Sequence, residues 1–99
     1  MQLIIPASQV SDPEQFIRRC GYGLHRTRIG ETSYVKRVHR DWYPRFHVYV
    51  KKQGENFVFN LHLDQRAPVY EGQTAHAGEY DGDVVEREGE RIKSFVVSV

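Results

Sequence analysis

The residues best suited to chemistry in this sequence lie at alternate positions of one stretch, residues 45–64. Apolar and polar side chains alternate there on both sides of Gly54-Glu55, a pattern that predicts a β-hairpin with a two-residue turn. Because side chains two residues apart on a strand share a face, one face of this hairpin is apolar and the other is unusually polar. The predicted register places these polar residues opposite one another: Arg45 with Asp64, His47 with His62, and Tyr49 with Asn60.

Two histidines and a carboxylate are a common ligand set for a catalytic or redox metal with open coordination positions. Directly opposite residues of antiparallel strands have Cβ atoms about 5 Å apart, which suits two histidines that share one ion. The loop at residues 65–81 brings further donors towards this face, namely His76, Glu79 and Asp81. The sequence therefore predicts a divalent-metal site, and its candidate ligands are His47, His62, Asp64 and His76.

The same polar face also supports acid–base chemistry without a metal. Histidine exchanges a proton near neutral pH, so His62 or His76 could serve as a general base. Arg45 would then hold Asp64 or an anionic substrate, and loop 65–81 would close over the face. The candidate catalytic residues are His62, Asp64 and His76.

A third interpretation assigns no chemistry to this face. Arg45 and Asp64 then form a cross-strand ion pair, and the histidines are hydrogen-bonded beneath a helix, a partner protein or a second copy of the chain. The sequence does not separate such a protein-interaction module from an enzyme, because in both cases the buried polar groups need partners.

Cationic and aromatic residues are interleaved along residues 18–52, which predicts a second functional surface. Residues 1–52 carry a net charge of +6 and residues 53–99 carry −5, although the whole chain is only +1. Cations bind phosphate groups and aromatic rings stack on unpaired bases, so the segment is typical of a nucleic-acid-binding module, with RNA as the expected partner. Alternatively, the oppositely charged halves face each other within one fold or a dimer. The candidate contact residues are Arg26, Arg28, Lys36, Arg37, Arg40, Trp42 and Tyr43.

Periodicity and helix-end signals predict the first elements that position these residues. Residues 3–6 form a short strand that a proline closes. Asp12 caps a helix at about 13–20, since Asp is a preferred N-cap and Pro13 fits the first helical position. Gly21 ends this helix.

The remaining elements are a second hairpin and a C-terminal helix. Residues 23–29 and 32–40 are predicted to pair around a Gly-Glu turn, although their alternation is poor. A helix at about 82–94 has apolar residues along one side, and Gly89 on that side predicts a close approach to the sheet. The tail, residues 95–99, fits either the end of this helix or a short strand.

Together these elements predict a single α+β domain over residues 1–99. Its antiparallel sheet of three to five strands is centred on hairpin 45–64, and both helices pack on the apolar face of that hairpin. The side chains expected beneath the helices are Phe46, Val48, Phe57, Phe59 and Leu61.

The order helix, antiparallel strands, helix resembles that of double-stranded-RNA-binding domains and of the small HicA-type toxins that cleave RNA. The catalytic His of those toxins stands in a Gly-Ser-His setting. The nearest stretch in this chain, residues 30–34, reads GETSY, so the resemblance covers the order of elements alone.

Composition narrows the alternatives further. Charged residues make up 27% and hydrophobic residues 39%, which is ordinary for a globular domain and argues against disorder. A single cysteine, Cys20, excludes an internal disulfide and a cysteine-rich zinc site, and we expect it to pack as a small hydrophobic residue.

No apolar run approaches the ~18 residues of a membrane span, and no basic region precedes the N-terminal apolar run. A cytoplasmic protein without membrane contact is therefore expected.

Overall fold

The computed structural model describes residues 1–28, 31–65, 78–79 and 82–96, which form an antiparallel sheet and two helices. This is the predicted α+β class. The strands are β1 (Gln2–Pro6), β2 (Gly23–Arg28), β3 (Glu31–Arg37), β4 (Arg45–Gln53), β5 (Asn56–Asp64) and β6 (Gly78–Glu79). The helices are α1 (Pro13–Arg19) and α2 (Asp83–Lys93).

The strand order is β1-β5-β4-β3-β2, and every pair of neighbours is antiparallel. Strand β5 therefore lies inside the sheet, and two strands share its outer edge. Strand β1 pairs with the first half of β5, while the short β6 pairs with Leu63 and Asp64 at its end. The five strands β1 to β5 confirm the predicted sheet of three to five strands, and the two residues of β6 extend its edge beside β5.

The central hairpin has the predicted register. Strands β4 and β5 meet at a turn in which Gly54 has a φ of 63°, a left-handed conformation that glycine adopts without a Cβ clash. Outward from that turn, His47 pairs with His62 and Arg45 pairs with Asp64. A slip by one residue would turn the whole apolar row to the opposite face, and the two-residue turn excludes longer slips, so the alternation and the turn together determine this register.

The second hairpin is shorter than predicted at its C-terminal end. Strand β3 ends at Arg37 rather than at residue 40. The chain then turns back, because the Val38 N–H donates to the Pro44 carbonyl at 3.1 Å. The Gly30 turn predicted at the other end of this hairpin lies outside the described residues.

An irregularity in β2 explains the poor alternation of this hairpin. The register with β3 shifts between Leu24 and Arg26, so a β-bulge places one extra residue, His25, in the strand. An extra residue changes which side chains share a face, and a strict period of two is lost.

Both helices pack on the apolar face of the sheet, as predicted. Helix α1 contributes Phe16 and Ile17 to the core, and α2 contributes Val85 and Ile92. Phe57, predicted to lie beneath the helices, is only partly buried against this core. The helices meet a row of buried sheet residues: Phe46, Val48, Val50, Phe59, Leu61 and Leu63.

Local sequence signals account for the ends of α1 and for one close contact of α2. Asp12 caps α1 by accepting a hydrogen bond from the Gln15 N–H at 3.1 Å, and Gly21, with a φ of 102°, follows its end. In α2, a Cβ added at Gly89 would lie 2.7 Å from the Sδ of Met1, next to β1. The predicted close approach of Gly89 to the sheet is confirmed.

An ion pair between the buried Glu88 and the half-buried Arg91 holds α2 against the junction of α1 and β2. Tyr22 donates to the Glu88 Oε2 at 2.6 Å, while Arg91 donates to both Glu88 oxygens and to the Cys20 carbonyl. Burial alone would raise the Glu88 pKa, but hydrogen bonds from Arg91 and Tyr22 hold it below its usual value. Burial raises the pKa of the Cys20 thiol to about 11, so this thiol stays protonated and packs as a small hydrophobic residue.

The C-terminal tail is described as far as Val96, which follows a turn after α2, and residues 97–99 lie outside the description. Neither helix of the described chain has the length and apolarity needed to cross a bilayer.

Replacing Phe59 with Ala is expected to lower the free energy of unfolding by about 3–5 kcal/mol, because the ring is fully buried and its loss leaves a cavity. Equilibrium denaturation of the two proteins measures this difference. The matched control is Ile4→Ala, since Ile4 is 60% exposed on the opposite face and should change stability by about 0.5 kcal/mol or less. A Phe59→Ala loss no larger than that of the control would contradict the assignment of the core face.

Candidate histidine–carboxylate site

The polar side chains of the central hairpin lie on the sheet face opposite both helices, where β4 begins and β5 ends. Arg45 and Asp64 form the terminal cross-strand pair, and His47 and His62 form a pair two positions further in. All four side chains point to the same face because they are separated by two residues along each strand. The structure therefore brings together three of the predicted site residues, His47, His62 and Asp64.

Asp64 is the centre of this cluster. Its Oδ2 atom lies 3.2 Å from Arg45 Nε and 3.1 Å from His47 Nδ1, and its Oδ1 atom lies 2.9 Å from His62 Nε2. An ionised carboxylate can only accept hydrogen bonds. The two histidine contacts are therefore hydrogen bonds when each histidine carries a proton on the nitrogen that faces Asp64.

Electrostatics keep Asp64 ionised. Burial alone would raise its pKa, but the hydrogen bonds from His47 and His62, together with their charges, hold that pKa well below its usual range. Arg45 adds a permanent cation on one of the two oxygens. An ionised carboxylate is suited both to orienting histidines and to binding a metal.

The cluster is almost fully buried. Arg45 is 7% exposed, His47 6% and His62 5%. Within the described residues, the buried atoms Arg45 Nη1 and His47 Nε2 have no hydrogen-bond partner. Buried polar groups nearly always have one, so these two atoms indicate where a ligand would bind.

Aromatic rings pack around His47. The centre of the Tyr49 ring lies 4.5 Å away in a stacked arrangement, that of His62 lies 4.9 Å away, and that of His25 lies 5.2 Å away, edge to face. Burial, and then the nearby charges of Arg45 and His47, lower the His25 pKa. The sequence did not predict His25 as part of this site, because only the bulge in β2 brings it here and nothing in the linear pattern marks that bulge.

Arg45 connects this cluster to aromatic residues predicted to contact nucleic acid. Its Cζ lies 5.2 Å from the centre of the Trp42 ring and 4.7 Å from that of Tyr43, within cation–π range. The Cζ of Arg37 lies 5.4 Å from the same Trp42 ring. Trp42 is nevertheless 52% exposed. The two predicted functional regions are therefore adjacent.

The other nucleic-acid candidates divide between the two faces. Arg26 and Arg40 are exposed, and Arg26 is registered with Ser33 on the face opposite the helices. Lys36 lies on the helix side, where its charge helps to lower the Glu88 pKa. The side chain of Arg28 lies outside the described part of the chain.

The loop after β5 contributes backbone to this end of the sheet. Gly78 of β6 pairs with Asp64, so this part of the loop lies beside the cluster. Glu79 pairs with Leu63 through its backbone. His76 and Asp81, predicted as further donors, lie outside the described residues.

The three described candidates are close enough to hold one metal ion. One ligand atom from each of His47, His62 and Asp64 can be chosen so that all three lie within 4.8 Å of one another. Comparisons of the chain with protein-family models, with curated proteins and with solved structures found no match. A functional assignment therefore depends on the site itself.

Replacing Asp64 with Ala is expected to lower the free energy of unfolding by about 3–5 kcal/mol, because Arg45 and two buried histidines lose their common acceptor. The measurement is denaturant unfolding at neutral pH with a chelator present, so that metal binding does not contribute. Glu55→Ala, which removes an exposed carboxylate at the hairpin turn, is the control and should change stability by about 0.5 kcal/mol or less. Equal losses in the two variants would show that the cluster adds no net stability.

Proposed function

We propose that this protein binds a divalent transition-metal ion through His47, His62 and Asp64, and that the bound metal performs hydrolytic chemistry. The observation that carries the proposal is the convergence of two imidazoles and one ionised carboxylate within 4.8 Å at a largely buried position. Imidazole nitrogen and carboxylate oxygen are donors that zinc and other first-row metals accept.

The spacing of the donor atoms supports this proposal. Metal–ligand bonds of about 2.0–2.1 Å place neighbouring ligand atoms of a tetrahedral zinc ion about 3.3 Å apart. His47 Nδ1 lies 3.1 Å from Asp64 Oδ2 and His62 Nε2 lies 2.9 Å from Asp64 Oδ1, so a carboxylate that binds the ion through both oxygens has this spacing to each histidine. Arg45, hydrogen-bonded to the same carboxylate, would fix its orientation from outside the coordination sphere.

The ligand set favours a catalytic centre over a structural one. Catalytic zinc sites commonly use three protein ligands and leave one position for water, and the described residues supply three. A metal at such a site lowers the pKa of its bound water to about 7, which supplies a nucleophile for hydrolysis. Within the chain, His47, His62 and Asp64 would hold the ion, while the rings of Tyr49 and His25 pack against the His47 ring.

The protein is expected to bind one zinc or cobalt ion per chain, and His47→Gln or His62→Gln should weaken this binding by more than about tenfold, since even outer-shell changes cost 10–100-fold. Calorimetric titration of chelator-treated protein measures the affinity, and circular dichroism confirms that each variant is folded.

The matched control for this experiment is His39→Gln, which removes an exposed histidine after β3 and should leave metal affinity unchanged. Wild-type protein that takes up no more zinc than the His47→Gln His62→Gln double variant would overturn the metal proposal.

Nucleic-acid binding is a second candidate function, and a separate observation favours it. The exposed ring of Trp42 lies beside the guanidinium groups of Arg37 and Arg45. A flat ring next to two cations is suited to stacking a base and contacting its phosphate. The carboxylate of Asp64 on this sheet face is already paired with Arg45. We therefore propose single-stranded RNA as the partner of this surface.

The Arg26→Glu Arg37→Glu variant is expected to lose most of its affinity for single-stranded RNA at low salt, because two cations of the proposed surface become anions. Each phosphate contact removed should reduce the slope of log affinity against log salt by about 0.7. The single tryptophan of the chain, Trp42, provides a fluorescence signal for this titration.

The control for charge is Arg19→Glu Lys93→Glu, which makes the same change on the two helices at the opposite face. Equal binding by both double variants would show that the attraction depends on net charge alone. A wild-type protein with no low-salt fluorescence change on adding RNA or DNA would remove this candidate.

A further inference from the structure

Arg45 Nη1 and His47 Nε2, which have no hydrogen-bond partner among the described residues, indicate the chemical class of the ligand of this cluster. We infer that Arg45 Nη1 and His47 Nε2 donate hydrogen bonds to a phosphate group bound beside the metal ion. This inference rests on the proposed metal site and extends it by naming what the site binds.

Metal coordination makes His47 a donor towards the ligand. The His47 nitrogen that faces Asp64 is Nδ1, so a metal that shares Asp64 with His47 would take the Nδ1 lone pair. The ring proton of a neutral imidazole then resides on Nε2. That atom is buried and has no hydrogen-bond partner among the described residues. A histidine bound to a metal normally donates its other N–H to an oxygen acceptor, so a ligand oxygen fits this position.

Arg45 presents a second buried donor from the same cluster. Its Nε atom is taken by Asp64 at 3.2 Å, whereas Nη1 has no acceptor within the described part of the chain. A guanidinium group is always charged and offers donors only, so the ligand must provide an oxygen here too. A buried cationic donor without an acceptor is costly, and a ligand that supplies one is held tightly in return.

The net positive charge of the cluster with a metal bound favours an anionic ligand. A divalent metal and Arg45 contribute three positive charges and Asp64 contributes one negative charge, so the buried centre keeps an excess of positive charge. Phosphate combines negative charge with several acceptor oxygens, and guanidinium groups match its geometry well. The neighbouring Trp42 and Tyr43 rings, which lie over the same Arg45, would contact a flat group attached to that phosphate.

The direct test is a titration of zinc-loaded, full-length protein with inorganic phosphate, followed by NMR of the histidine ring nitrogens. The expected result is a saturable shift of the His47 Nε2–H signal, and a much smaller response in zinc-free protein. Zinc-loaded protein whose His47 signal does not respond to millimolar phosphate would overturn this inference while leaving the metal proposal intact. Failure to bind zinc would overturn both.

A matched pair of variants tests the contribution of Arg45. Arg45→Gln should weaken phosphate binding to the zinc-loaded protein by at least about tenfold, because a charge-assisted hydrogen bond is lost. Lys51→Gln removes the same charge from an exposed position of β4 on the same face and should leave phosphate affinity nearly unchanged. Equal affinity in the two variants would show that phosphate binds the metal alone and would overturn the role of Arg45. The zinc affinity of each variant, measured first, shows that the site is still formed.

The source of the phosphate is distinguished by two further ligands. A nucleoside monophosphate that binds more tightly than inorganic phosphate and changes Trp42 fluorescence would support the inference and identify a nucleotide. A short single-stranded RNA that binds more tightly still, and competes with inorganic phosphate for the His47 signal, would identify a nucleic-acid chain. An RNA that binds without displacing phosphate would show two separate sites, and would exclude nucleic acid as the source of the phosphate bound at this cluster.

Discussion

The ionised carboxylate of Asp64, held at a largely buried position, is the constraint on which the polar side of this structure depends. A buried charge is tolerated only when it is paired and hydrogen-bonded, and here Arg45, His47 and His62 all converge on the two oxygens. The same contacts fix the orientation of both imidazole rings. A group of side chains that would be mobile on an open sheet thereby becomes a preorganised site.

The rest of the fold supplies the geometry that this pairing needs. Because both helices pack on the apolar row of the central hairpin, the polar row must face the other way. The ion pair between Glu88 and Arg91, with Tyr22 and the Cys20 carbonyl, holds α2 on the helix side. Helix α2, with the acidic Asp83 and Glu86 of its first turn, is therefore kept on the side away from Arg45.

Arg45 gives the two proposed functions a common physical basis. It pairs with Asp64 through Nε, lies over the rings of Trp42 and Tyr43, and keeps Nη1 without an acceptor within the described residues. A metal centre and a cationic aromatic surface that share one guanidinium group suit a ligand with both a phosphate and a flat ring. Separate sites for a metal and for nucleic acid would not require such a connection.

The sequence by itself determined the central hairpin, its register and the pairing of His47 with His62 and of Arg45 with Asp64. Alternation with a period of two decides which side chains share a face, and the two-residue turn at Gly54-Glu55 decides which of them pair, so these contacts follow from local pattern. The sequence also determined the cap of α1 and the close approach of Gly89, since both depend on the shape of single residues.

Only the tertiary structure decided that His25 joins the cluster, because a bulge depends on how β2 pairs with β3. Likewise, Trp42 meets Arg37 only because the chain turns back after β3. The burial of Arg45 and His47, whose Nη1 and Nε2 atoms have no partner among the described residues, depends on how the strands pack together. Linear patterns record which residues share a face, but they do not record which distant segments will cover that face.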